Sequence, residues 1–166
     1  MINDALATKL LIFSDPQLQA QYPMLPLFFL REVVHLCVSD VNKMFLIKVE
    51  AENAALKTVT LTGFLIEALF LDPKHGRCGL DVAIKTAIQR DAAECFLQIA
   101  LFEPGREMLT KGPALEALRA LTSGQALSEE CKVFANGAIL AVEGVTHEPA
   151  PAGEGDDDAD GHVMVS

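Results

Sequence analysis

Asp156, Asp158, Asp160 and Gly161 reproduce the first half of a calcium loop, D-x-D-x-D-G. Such a loop supplies oxygen ligands and a glycine at its sharp turn. The bidentate Glu of its twelfth position would lie beyond Ser166, and Pro149, Pro151 and Gly153 stand where the entering helix should be. A solvated acidic linker is the expectation. His75 and Cys78 have H-x-x-C spacing, but a metal site needs more ligands than this pair supplies. Gly76-Arg77-Cys78-Gly79 is not a phosphate loop. Asp81, Asp91 and Glu94 offer paired carboxylates, yet the helical pattern puts them at surface positions without a His or Lys partner. His35 lies in an apolar helical stretch and reads as a hydrogen-bonded core or edge histidine. Cys37, Cys78, Cys95 and Cys131 are far apart with no CxxC, and Cys37 and Cys95 sit in apolar segments. They read as small buried hydrophobes in a reducing compartment. No catalytic residue, cofactor site or metal site is expected.

Hydrophobic residues make up 51% of the 166 residues, enough to build a core. The net charge is −10, but seven of the 23 acids lie at or after Glu143, where there is no Lys or Arg. Residues 1–142 keep 16 acids against 13 bases, a net of −3, with no basic stripe for nucleic acid. The richest apolar window, Val59 to Leu71, is interrupted by Thr60, Thr62 and Glu67, and falls short of the roughly 18 residues a membrane span needs. Asn3 and Asp4 replace the basic start of a signal peptide, so a cytoplasmic location is expected.

Apolar spacing of three and four dominates, which predicts an all-α protein. A first helix is expected over Asp4–Phe13 and a short one after Asp15-Pro16. Tyr22-Pro23 and Leu25-Pro26 read as breaks, followed by an apolar helix from Leu27 to Val38. A short helix follows over Val41–Val49, then a long one from an Asn53 cap to Leu71, in which Gly63 would admit a neighbouring helix. Asp72–Gly76 reads as a loop. Asp81 is placed to cap a helix reaching Phe102, with Arg90 as the site of a kink. Within it Ala93, Phe96, Leu97, Ala100 and Leu101 form one face, while Cys95, Ile99 and Phe102 form another, so this helix must be buried from more than one side. Pro104 opens a short helix with Met108 and Leu109 inward. Gly112-Pro113 turns the chain into a helix with Leu115, Leu118 and Leu121 on one face. Gly124 ends it, and Ser128 caps a last helix closing near Glu143-Gly144.

Three stretches repeat one another. Val33–Asp40 with Asn42–Leu46 lies over Phe96–Glu103 with Gly105–Leu109, and Cys95–Leu97 with Ile99 lies over Ala138–Leu140 with Val142. Units of roughly 40–47 residues with two or three helices are the signature of armadillo and HEAT solenoids. Asp91–Leu121 resembles an armadillo repeat in particular. Ala92, Ala93, Phe96, Leu97 and Ile99 match the long third helix, Glu103-Pro104-Gly105-Arg106 the turn, and Gly112–Leu121 the next helix. The resemblance implies an armadillo/HEAT-like α-α superhelix over residues 1–143, followed by an acidic Pro/Gly-containing linker and tail over 144–166. It also implies a non-enzymatic scaffold that binds a protein partner or itself. The Trp/Asn ladder of peptide-binding armadillo proteins is missing: there is no Trp, and Asn136 is the one Asn on a matching helix. His162–Ser166 resembles the opening of a Toll/interleukin-receptor (TIR) domain. That resemblance implies the alternative of a regulatory fragment, inactive toward NAD because the TIR pocket and catalytic Glu would lie beyond Ser166.

Overall fold

The structure is a computed structural model. It describes residues 9–10, 15–22, 24–70 and 81–144, without the side chains of 16, 19 and 20. The H-x-x-C pair, the Gly76–Gly79 stretch, the calcium-loop pattern and the TIR-like tail all lie outside the described residues, as do most of the expected first helix and of the 144–166 linker. Lys9 and Leu10 of that first helix are helical, and Leu10 is fully buried. Among the described residues every element is helical and none is a strand.

Helix α1 spans Pro16–Gln21, and Asp15 Oδ1 accepts from the backbone N–H of Gln17 and of Leu18 to cap it. Helix α2 spans Leu25–Leu36. Pro26 does not break the chain here; it sits in the first turn of α2, where a proline forfeits no helical hydrogen bond. Helix α3 spans Asp40–Ala55, longer than the Val41–Val49 pattern suggests, and Lys57 in the left-handed region (φ 54°) follows its end. Asn53 caps nothing. It is buried inside α3, and its Nδ2 donates to the Val59 carbonyl at 2.7 Å, fastening the turn that follows. Helix α4 accordingly begins late, spanning Leu61–Phe70. Its first turn is held by Thr60 Oγ1, which accepts from Gly63 N, and by Glu50 Oε2, which accepts from Thr62 N. Gly63 therefore faces Thr60 of its own turn, not another helix.

Helix α5 spans Val82–Ala100 as one helix through Arg90, with Asp81 Oδ1 accepting from Ala83 N at its start. Helices α6 (Glu103–Thr110) and α7 (Ala114–Ala120) follow the Pro104 and Gly112-Pro113 turns. Leu121–Gln125 forms a wider π-type turn broken within by Gly124 (φ 151°). Helix α8 spans Glu129–Glu143; Ser128 Oγ accepts from Cys131 N, and Gly144 closes it in the left-handed conformation.

Helix α5 is the centre of the packing, touching α2, α4, α6 and α8. Ala92, Ala93, Cys95, Phe96, Ile99 and Ala100 are buried together on it, so both predicted faces are covered. Leu101 is the exception at 59% exposed, because it terminates the helix. Phe29 of α2 meets Phe64 of α4 edge-on, with ring centroids 5.1 Å apart. The segments Val33–Val38, Phe96–Phe102 and Ala138–Val142, similar in sequence, fall on the last turns of α2, α5 and α8, the first two running just past the helix ends, and α5 packs directly on the other two helices. No helix among the described residues is long and apolar enough to cross a membrane.

Candidate functional site

The most chemically loaded place among the described residues is where α2 crosses α5. Asp91 does not lie on the surface as the helical pattern suggests. It is 2% exposed, because α2 packs over the start of the apolar run of α5. A carboxylate in such a place needs partners. Its Oδ1 accepts a forked pair of hydrogen bonds from Arg90 Nε and Nη2. Its Oδ2 has no hydrogen-bond partner. Arg31 of α2 reaches Oδ2 from the other helix, its Nε 3.6 Å away, close enough for an ion pair and too far for a good hydrogen bond.

Arg31, Val34 and His35 from α2, with Arg90, Asp91 and Glu94 from α5, enclose a cleft of about 260 Å³. His35 Nδ1 donates to the Arg31 carbonyl at 2.6 Å, which leaves Nε2 as an acceptor in the neutral ring. Glu94 sits one turn after Asp91. Burial, then the Asp91 charge, push its pKa above the usual carboxylate value, while Arg90 pulls the other way. Glu130 of α8 stands 3.9 Å from Arg90 Nη1 and closes the charged chain across the third helix. A shallower groove of about 480 Å³ shares Arg31 and His35 with the cleft, and is lined further by Lys9, Phe28, Glu32 and Leu36. Phe28 is 55% exposed at its rim, and Lys9 Nζ donates to Glu32 Oε2 at 2.7 Å across it.

The described thiols are not poised for nucleophilic chemistry, since burial holds each of them protonated. The Cys37 thiol is pushed up to about 12, offset only in part by Lys43, and Cys131 to about 11. Cys95, wholly buried, is raised well above its ordinary value, and its thiol points at the Leu30 carbonyl. No group of three or more His, Cys, Asp or Glu among the described residues is arranged to hold a metal ion.

The sequence marks Asp91 and Glu94 as paired carboxylates and His35 apart from them, and the crossing brings the three together. Arg31 and Arg90 also line the cleft, although the sequence marks Arg90 only as a kink position and Arg31 not at all. The signal available for them was an Arg directly before an Asp in an otherwise apolar helix, and an Arg on an apolar helix of the matching repeat. Asp81 is not part of the site; it only caps α5. Neither a protein-family model, nor a curated protein, nor a solved structure matches this chain.

Proposed function

We propose that the chain is a non-enzymatic interaction scaffold of helical repeats, arranged as an armadillo/HEAT-like stack, which binds a protein through the outer face of α2. The observation that carries this reading is the open groove on α2, where Phe28 and Leu36 are left exposed beside three charged side chains. The repeat arrangement is supported by α5 packing on both helices whose sequences resemble it. Large apolar side chains gathered at a concave surface mark contact sites more than isolated ones do.

The partner that fits is a second copy of the chain. Lys9 and Glu32, paired within the chain, lie on one exposed strip, so a two-fold axis across α2 would let the two copies exchange this pair between them. A repeat stack also exposes apolar surface at its ends and gains by covering it. A cytoplasmic, reducing setting goes with this reading, since Cys37, Cys95 and Cys131 are free thiols packed as small apolar residues.

Light scattering over a concentration series tests it. The molar mass should rise toward that of a dimer, and Phe28→Glu, which places a charge at the centre of the contact, should return the chain to monomer without changing its helical circular dichroism. A stable monomer at every concentration, or a dimer indifferent to Phe28→Glu, contradicts the proposal.

A further inference from the structure

We infer that the cleft between α2 and α5 is a binding site for an organic cation, a guanidinium or primary ammonium carried on an apolar stem. The starting point is Asp91 Oδ2: a buried carboxylate oxygen, on a side chain 3% exposed, without a hydrogen-bond donor. Buried acceptors are almost always satisfied, and the missing partner here must be a donor. An anion is excluded on the same ground, despite the two arginines. Arg90 is committed to Asp91 Oδ1 and to Glu130, so it offers little to a ligand.

Arg31 occupies the approach to Oδ2 without bonding to it. Its side chain is 52% exposed and can swing into solvent, which makes it a displaceable cap. A ligand cation entering behind it would donate to Asp91 Oδ2 and gain the Glu94 carboxylate one turn along α5 and the free Nε2 of His35. The cleft volume of about 260 Å³ lies below the range of roughly 300–1,000 Å³ typical of drug-sized ligands, and so suits a head group rather than a whole molecule. The stem would run out over Phe28 and Leu36, because the apolar groove opens from the same two residues, Arg31 and His35. A lysine or arginine side chain of a peptide and a free alkyl-guanidine share this chemistry. The site goes beyond the self-association reading and does not depend on it, since the head group binds at the floor of the cleft; the stem would share the groove of Phe28 and Leu36 with a second copy, so the two occupants compete there.

Calorimetric titration of the full chain, dilute enough to be monomeric and at low salt, tests the inference. The probes are N-acetylarginine amide, its neutral citrulline counterpart and agmatine. Arginine amide should bind saturably, and the citrulline analogue at least about tenfold more weakly, because a charge-assisted hydrogen bond in a half-buried site is lost. Arg31→Ala should tighten binding about threefold or more by removing the competing cation, and Glu94→Gln should weaken it about fivefold. These two variants change exposed or half-buried side chains, so the test stands even if Asp91→Asn fails to fold. Equal affinity for agmatine assigns the site to free small cations, and tighter binding of the peptide-like amide assigns it to a protein side chain; either supports the inference. No binding, equal binding of the citrulline analogue, or a loss of affinity in Arg31→Ala overturns it, the last showing that Arg31 itself satisfies Asp91.

Discussion

Gln89 and Asp91 lie two residues apart on α5, and both are buried polar groups in an apolar helix. Their situations differ. Gln89 is fully used: its Nε2 donates to the Leu69 and Gln125 carbonyls at 2.8 and 3.0 Å, and its Oε1 accepts from Leu127 N at 2.7 Å. It thereby ties the last turn of α4 to the loop before α8. Gln89→Leu keeps the volume but strands those backbone groups, and should cost about 2–3 kcal/mol in urea unfolding, as expected for buried groups left unpaired. Asp91 keeps one oxygen without a hydrogen bond, which is why it and not Gln89 marks a site. Glu94 gives the pH signature of that site. Asp91, Arg90, Glu130 and His35 face it from α5, α8 and α2. Its folded pKa lies above its unfolded one, so the folded state binds more protons between the two values. The associated stability is fully present below the ordinary carboxylate pKa, and is lost as pH rises through the raised value. Glu94→Gln should remove that loss and raise the melting temperature at neutral pH relative to mildly acid pH. An unchanged difference would show that Glu94 feels neither the burial nor its neighbours. Little of this was legible in the sequence: Asp91 beside Arg90 resembles a solvated pair, and only the crossing of α2 buries it.

At the level of elements, the sequence carried the all-helical class and most of the helix positions. Helical periodicity, the Asp81 and Ser128 caps and the Pro104 and Gly112-Pro113 turns are local signals, and each appears where the residues place it. The differences have separate causes. Asn53 suits a cap by residue type, but its burial gives its amide to the Val59 carbonyl. Pro26 suits a break, but a proline in a first turn costs the helix nothing. Gly105 is the sharpest element-level constraint. A Cβ there would stand 2.1 Å from the Ile99 carbonyl oxygen, so only glycine lets α6 fold back onto the end of α5. Gly105→Ala should therefore destabilise the chain by about 3 kcal/mol by forcing the two helices apart, at the upper end of overpacking costs. Thermal denaturation checks this. Gly112→Ala, at a position with open space around it, is the control that should be close to neutral.

At the scale of the molecule, α5 runs through the middle of the described residues, and α2 lies on it with a groove and an apolar rim left open. The repeat in the sequence raises the expectation of a scaffold, while the open groove on α2 is not visible there because Phe28 and Phe29 are adjacent and identical. Only packing distinguishes the buried Phe29 from the exposed Phe28. The central claim is that this exposed face of α2 is where the chain meets a second copy. Amide hydrogen exchange, followed across a protein concentration series, locates that contact most directly. The account predicts that exchange in Leu25–Leu36 slows as concentration rises, while α6 and α7 keep the same rates. Exchange that is independent of concentration throughout, or slowing confined to α6 through α8, would contradict it.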